Sequence, residues 1–496
     1  MNKFILFYLL SAIQIFSQQT PLEKNNYQKL TSYEELTKFI YQLDSLSGLL
    51  KTEVIGQSVE GRNIYALIFS DSEFGTDTSK IKVLIFAQQH GDEQSGKEGV
   101  LLLAAKLITP DFSGLLKRID IILIPQMNPD GSERNVRMNA DEMDLNRNHL
   151  ILTEPETIAL HKLFDKYLFE ATMDVHEYYP YTDDWKKFGY MKNFDVQVGA
   201  ETNPNVSGRI WSLSNQDYLP FIEAYFKERK YSFHNYILGG PPDINLIRHS
   251  TFDINDGRQS FGILNSFSFI QEGKNGKDSI DNIQRRTESQ AAGLTGFLNY
   301  IYSNKNKIKS LVHEESSKLI SGKISDSVAI QMEHSSTGEK LTLPLLSLYS
   351  DTDSIITVND YRPVVESIYN VERPSGYLIP KSKPELYDWA LRQDIKISAF
   401  HPTQDMSIQK YFVSRIDSMN FEGDTIVNPD VELSEVSTEI IGDEYYYIST
   451  GQIKNNLIVT ALEPKSELGL VTYKQYSHLL KAGEYFPVLR VVKNNK

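Results

Sequence analysis

The strongest constraint on the fold is a set of short, largely apolar segments that each end in a polar cluster. "IKVLIFA" (81–87) runs straight into "QQHGDE", "IDIILIP" (119–125) into "QMNPDG", and "EATMDV" (170–175) into "HEYY". Strands apolar on both faces have to be covered on both faces. Between these runs lie helical patterns, "GVLLLAAKLI", which stops before Pro110, and "PETIALHKLFDKYL". Strands alternating with helices predict an α/β fold, a doubly wound mixed sheet with helices on both faces. Ligands of such sheets sit outside the carboxyl ends of the strands, which is where the polar clusters fall.

The flanking segments complete the outline. "TSYEELTKFIYQLDSLSG" has helical spacing with Thr31 or Ser32 as cap, and "KTEVIGQSVEGRNIYALIFS" reads as two strands around a turn at Gly61. Ser95 and Glu98 have capping-box spacing. "NSFSFIQEG" is a further strand, and "DSIDNIQRRTESQAAGLTGFLNYIYS" is a long helix that closes the layer. The polar stretch "NKNKIKSLVHEESSK" reads as a linker. Beyond it, short alternating segments such as "SVAIQME", "DSIITV", "IKISAF" and "YYYIST" predict a β-rich region, with "KPELYDWALRQ" as a helix. The expected organisation is a leader at 1–17, a catalytic domain at 18–305 and a β-rich accessory region at 306–496, in one or two small modules.

The leader expectation rests on Lys3, an apolar run from Phe4 to Phe16, and the small Ser17, which together read as a cleaved secretory signal. An exported, periplasmic or extracellular protein follows, with no membrane span after cleavage. The chain has no cysteine, so a zinc site would have to use histidine and carboxylate ligands. Its formal net charge of −14 argues against a nucleic-acid partner, which needs a basic face to displace counterions.

Two polar clusters carry candidate chemistry. His90 and Glu93, spaced H-x-x-E, could be two ligands of one metal ion or ordinary polar surface after a strand. "NPDGSERNVRMNADEMDLNRNH" (128–149) is either a hydrated loop or a place where arginines hold carboxylate or oxyanion charge in a fork geometry. Taken together, H-x-x-E after a strand, N-P-D-G, R-x-N, D-L-N-R-N, a strand ending D-x-H and a later strand ending in E resemble the zinc carboxypeptidases of the carboxypeptidase A type. The resemblance covers about residues 24 to 303, including "IGQSVEGRNIYAL" as the family's first hairpin.

That resemblance implies roles for particular residues. His90, Glu93 and His176 would hold one zinc ion per chain, with a fourth position open for water, as in catalytic zinc sites. Glu272 would be the general base and Arg137 the oxyanion donor. Asn146 and Arg147 would bind the terminal carboxylate of a peptide or peptide-like substrate. Asp144 would orient a zinc-bound histidine. The chain departs from the family's digestive members at Asp92, which replaces an arginine, and at Phe252, in a stretch without the usual mobile tyrosine. Residues 252–258 would floor the specificity pocket; an inward Asp253 or Asp256 would favour basic C-terminal side chains, an inward Arg258 acidic ones. The function implied is an exported zinc metallocarboxypeptidase. Alternatives are a zinc amidohydrolase acting on acyl amino acids or cell-wall peptides, and a non-catalytic binding protein on the same fold.

Overall fold

A computed structural model describes residues 18–242, 244–324, 327–436 and 443–493. The expected signal, residues 1–17, lies outside the described residues. Among the described residues, no single helix is long and apolar enough to cross a membrane.

Eight strands form the central sheet: β1 (Leu50–Gln57), β2 (Asn63–Phe69), β3 (Ile81–Ala87), β4 (Ile119–Ile124), β5 (Ala171–Tyr178), β6 (Val196–Ala200), β7 (Phe233–Asn235) and β8 (Phe267–Lys274). Their spatial order is β1-β2-β4-β3-β5-β8-β6-β7. The centre, β4-β3-β5-β8, is parallel, while β1, β2 and β6 join antiparallel to their neighbours. This is the mixed, doubly wound sheet expected from the alternating runs.

Period-two alternation sends each strand's side chains into two separate cores. Along β2, Tyr65, Leu67 and Phe69 enter one core, and Ile64, Ala66 and Ile68 enter the other. Helices α1 (Tyr33–Leu46), α2 (Gln94–Leu107), α4 (Leu219–Glu228) and α5 (Ile283–Ser321) cover the first face, and α3 (Pro155–Tyr167) covers part of the second. Ser32 caps α1 in a full capping box with Glu35.

Two local expectations give way to other contacts. Ser95 and Glu98 form no capping box, because α2 already begins at Gln94. Instead, the Glu98 carboxylate accepts from the backbone N–H and hydroxyl of Thr31 at 2.8 and 2.7 Å, and the Ser95 N–H donates to Glu177 at 3.0 Å. The stretch read as a linker is the second half of α5, which continues to Ser321 beyond a kink at Asn304. Its polar composition hides a buried stripe, Ile308, Leu311, Val312, Glu315 and Leu319, at helical spacing.

The C-terminal third is β-rich as expected, and it is interleaved with the first two thirds. Strands β9 (Ser327–Ser335) and β12 (Val364–Glu372) pair with each other, while β10 (Leu341–Ser347) pairs with β11 (Thr352–Val358) and with Tyr190–Met191. A bridging strand at Tyr361–Arg362 pairs with Ile247–His249. Strands β13 (Gly376–Pro380), β14 (Met406–Phe421), β15 (Asp424–Val436), β16 (Tyr445–Ser449) and β17 (Leu489–Lys493) build a six-stranded sheet with Ile397–Ser398.

This region supplies the missing cover for the second face. Val328, Ile330, Tyr377 and Leu457 share one core with Leu84, Phe86 and Ile122 of the central sheet. Helix α6 (Pro384–Arg392) carries the fully buried Trp389, whose indole N–H donates to the Leu150 carbonyl at 2.9 Å. Gln393 donates to the same carbonyl at 2.7 Å. Trp389→Ala is expected to remove about 3–5 kcal/mol of stability, read from urea unfolding of the full chain; a change under about 1 kcal/mol would show that the shared core does not hold the two regions together.

Candidate metal centre and active-site cleft

Strand register builds the site. Ile270 pairs with Asp174, and Glu272 with His176, across the parallel β5–β8 ladder. Met173, Val175, Phe267 and Phe269 point to the helix-covered core, so alternation sends Asp174, His176, Ile270 and Glu272 to the other side. The adjacent strand, β3, ends at Ala87, and the loop beyond it brings His90 and Glu93 to the same strand ends, with Glu93 immediately before α2. Gly91 makes that turn possible, since a Cβ there would lie 2.1 Å from the Gly131 carbonyl carbon.

His90, Glu93 and His176 each offer a ligand atom, and these atoms lie within 4.8 Å of one another. His90 Nδ1 is 2.6 Å from Glu93 Oε1, and His176 Nδ1 is 2.8 Å from Glu93 Oε2. The two Nδ1 atoms approach to 3.1 Å. Each outer ring nitrogen faces a carboxylate: His90 Nε2 lies 3.1 Å from Asp144 Oδ1, and His176 Nε2 lies 2.9 Å from Asp174 Oδ1. Those partners fix the tautomer that leaves both Nδ1 atoms as electron-pair donors. Burial alone would raise the Glu93 carboxyl, but the two imidazoles outweigh it and hold it far below the usual range. Against burial, the surrounding carboxylates favour the protonated form of both rings while no cation is present. With those protons displaced by a metal, two imidazoles and one carboxylate fit a catalytic zinc ion.

The other candidates surround this cluster. Glu272 is buried in the same cleft, and burial raises its carboxyl to about 7 against the pull of His176. Arg137 reaches in from the loop after β4, with Nη1 3.1 Å from His90 Nδ1 and Nη2 2.9 Å from Asp144 Oδ2. Asn146 and Arg147 sit on a turn capped by Asp144, which accepts from the Asn146 N–H at 2.9 Å. The Asn146 side-chain oxygen accepts from the Gly257 N–H at 2.7 Å, which leaves its NH₂ for a ligand. The seven residues named from the sequence as metal, catalytic or substrate-binding candidates line one cleft of about 580 Å³.

The structure separates the charges of the 252–258 stretch. Asp256 and Arg258 line the cleft but pair with each other at 2.9 Å, while Asp253 borders a different cavity behind Arg147. Arg258 is buried and also donates to Thr251 Oγ1 at 2.6 Å. Neither sign of charge is presented alone.

Sequence reading passed over three residues that belong to this cleft or its support. Asp174 backs His176, and its signal was the D-x-H alternation on a strand. Gln89 donates to both Asp174 oxygens at 3.1 and 2.9 Å and ties in His149 at 2.7 Å. Lys192 lines the cleft from a loop that no motif marks.

A buried His₂–carboxylate cluster beside a free carboxylate, at the strand ends of a mixed α/β sheet, defines a metal-dependent hydrolase site. Residues 36–190 match the zinc carboxypeptidase family. The match contains the three ligand candidates, Arg137, Asn146 and Arg147. Carboxypeptidase 2 of Trichophyton rubrum is 23% identical over 454 residues, covering 88% of this chain and 81% of that protein. Mouse carboxypeptidase D is 30% identical over 234 residues, covering 40% of this chain and 17% of that protein. A metallo-carboxypeptidase structure from Burkholderia cenocepacia aligns at 21% identity with a TM-score of 0.44, over 56% of this chain and 71% of that one.

The carboxylate behind His176 is open to direct test. Asp174→Asn is expected to weaken zinc retention by about 10–100-fold, measured by chelator competition without any substrate. Unchanged retention would mean that His176 is held by other contacts.

Proposed function

We propose that the protein is an exported zinc metallocarboxypeptidase that removes C-terminal residues from peptides, with its chemistry in residues 18–305 and residues 306–496 in an accessory role. The observation that carries this reading is the convergence of His90, Glu93, His176, Glu272, Arg137, Asn146 and Arg147 on one cleft. His90, Glu93 and His176 would hold the zinc ion. Zinc, when bound, supplies Lewis-acid polarisation of a carbonyl oxygen and makes a coordinated water more acidic.

The chain's own residues do the rest. Arg147 and the Asn146 amide hold the substrate's terminal carboxylate, which sets the scissile bond one residue from the end. Glu272 takes a proton from the attacking water as the new C–O bond forms. It returns that proton to the leaving amine as the C–N bond breaks. Its raised affinity for protons suits a group that must hold one between the two events. Arg137, whose guanidinium already lies beside the ligand cluster, donates to the carbonyl oxygen as it becomes anionic.

Glu272→Gln is expected to abolish hydrolysis of N-blocked dipeptides while zinc analysis still finds one ion per chain. Loss of the metal as well would mean that Glu272 is a ligand and not the base. Arg137→Ala is expected to lower turnover by about 10²–10³ in steady-state kinetics; a near-normal rate would remove the oxyanion role. Hydrolysis confined to acyl amino acids or cell-wall fragments would reject the peptide substrate while keeping the metal chemistry.

A further inference from the structure

Four cationic side chains line the cleft: Arg137, Arg147, Lys192 and Arg258. Two are neutralised within the protein, Arg137 by Asp144 and Arg258 by Asp256, each at 2.9 Å. Arg147 and Lys192 are different. Among the described residues, Arg147 donates only to the Asn146 carbonyl, at 2.8 Å, and Lys192 only to the Ile237 carbonyl, at 3.0 Å. Neither forms an ion pair there. Beyond ion-pair distance, Asp253, Asp144 and Asp256 still stabilise the Arg147 charge against burial. For Lys192, burial outweighs the pull of Glu272, and such a poorly compensated cation is costly unless an anion arrives to meet it. In the proposed function, the substrate's terminal carboxylate meets Arg147. Lys192 then remains as a second unpaired cation in a cavity with only one anion assigned to it.

The surroundings of Lys192 hold it in place for that purpose. It follows the short strand Tyr190–Met191, which β10 of the C-terminal third pins by backbone pairing. The tether to Ile237 and the Trp185 ring, whose centroid is 5.9 Å from Nζ, fix the ammonium. Burial pushes that ammonium down to about 8, so it is charged at neutral pH but poorly solvated. Tyr236, next to Ile237, lines the same cleft, and its hydroxyl makes no hydrogen bond among the described residues. Two residues lining the cleft therefore offer donors with spare capacity, one of them charged.

We infer that Lys192 is a specificity-determining residue that receives a second carboxylate, the acidic side chain of one of the substrate's last two residues. The inference rests on the peptidase reading and names the substrate class for that site. It also accounts for the paired state of Asp256 and Arg258, which leaves the choice of side chain to the opposite wall.

The test uses the zinc-loaded full chain and N-blocked dipeptides in matched pairs, Gly-Glu against Gly-Gln and Glu-Leu against Gln-Leu. In one pair, the glutamate peptide is expected to exceed its isostere in kcat/KM by about 10–100-fold. Lys192→Gln should collapse that ratio, and Lys192→Arg should retain most of it. Equal rates within both pairs in the unmodified protein overturn the inference without any variant having to fold. So does a ratio that survives Lys192→Gln, or a uniform fall across all four peptides, which would place Lys192 in support of Glu272. If no dipeptide is hydrolysed by zinc-loaded protein, the peptidase reading itself fails, and this inference falls with it.

Discussion

The site depends on the in-register pairing of β5 with β8. One ladder sets His176 beside Glu272, and Asp174 beside Ile270, while the alternate residues of both strands pack into a helix-covered core. A slip of one residue in β5 would turn His176 into the helix-covered core and push Val175 toward the cleft, and the same slip in β8 would do so for Glu272 and Phe269. Chemistry and hydrophobic packing are therefore enforced by the same geometry. The loops after β3 and β4 are the only further elements needed to bring in His90, Glu93 and Arg137.

Electrostatics in the cluster is layered. Glu93 lies between two imidazoles, each imidazole is backed by a carboxylate, and those carboxylates are held in turn by Arg137 and Gln89. Each of these five charged or titratable groups has a counter-charge or a donor within hydrogen-bond range, as buried polar networks require. Glu177 shows the same logic away from the chemistry. It is buried beside the cluster, pairs with Arg286 at 2.8 Å and accepts from Ser95, so it ties α5 to the start of α2.

Much of the fold was legible because its signals are local. Apolar runs such as "IKVLIFA" can only be buried strands, and the polar residues after them fall at strand ends by topology alone. His90 and Glu93 were legible as a pair because they are three residues apart, but His176 and Glu272 needed the resemblance to give them meaning. Asp174 was hidden in plain view on the strand of His176, since its role exists only once the ring is oriented. Lys192 had no signal at all; its unpaired state is a property of what surrounds it in space. The second half of α5 was misread because charged and polar residues outnumber the four apolar ones that carry its buried stripe.

The continuity of α5 across residue 305 has a practical bearing on how this protein can be handled. Ile308, Leu311 and Val312 belong to the same core as Leu107 of α2 and Ile119 of the central sheet. A gene trimmed to the family-like portion would therefore strip lining from the very layer that supports β3 and β4, and it would also uncover the face that the tail shields. Anyone grafting this enzyme onto another scaffold has to transplant the tail along with it, because the hydrolytic machinery and its upholstery are one piece of furniture.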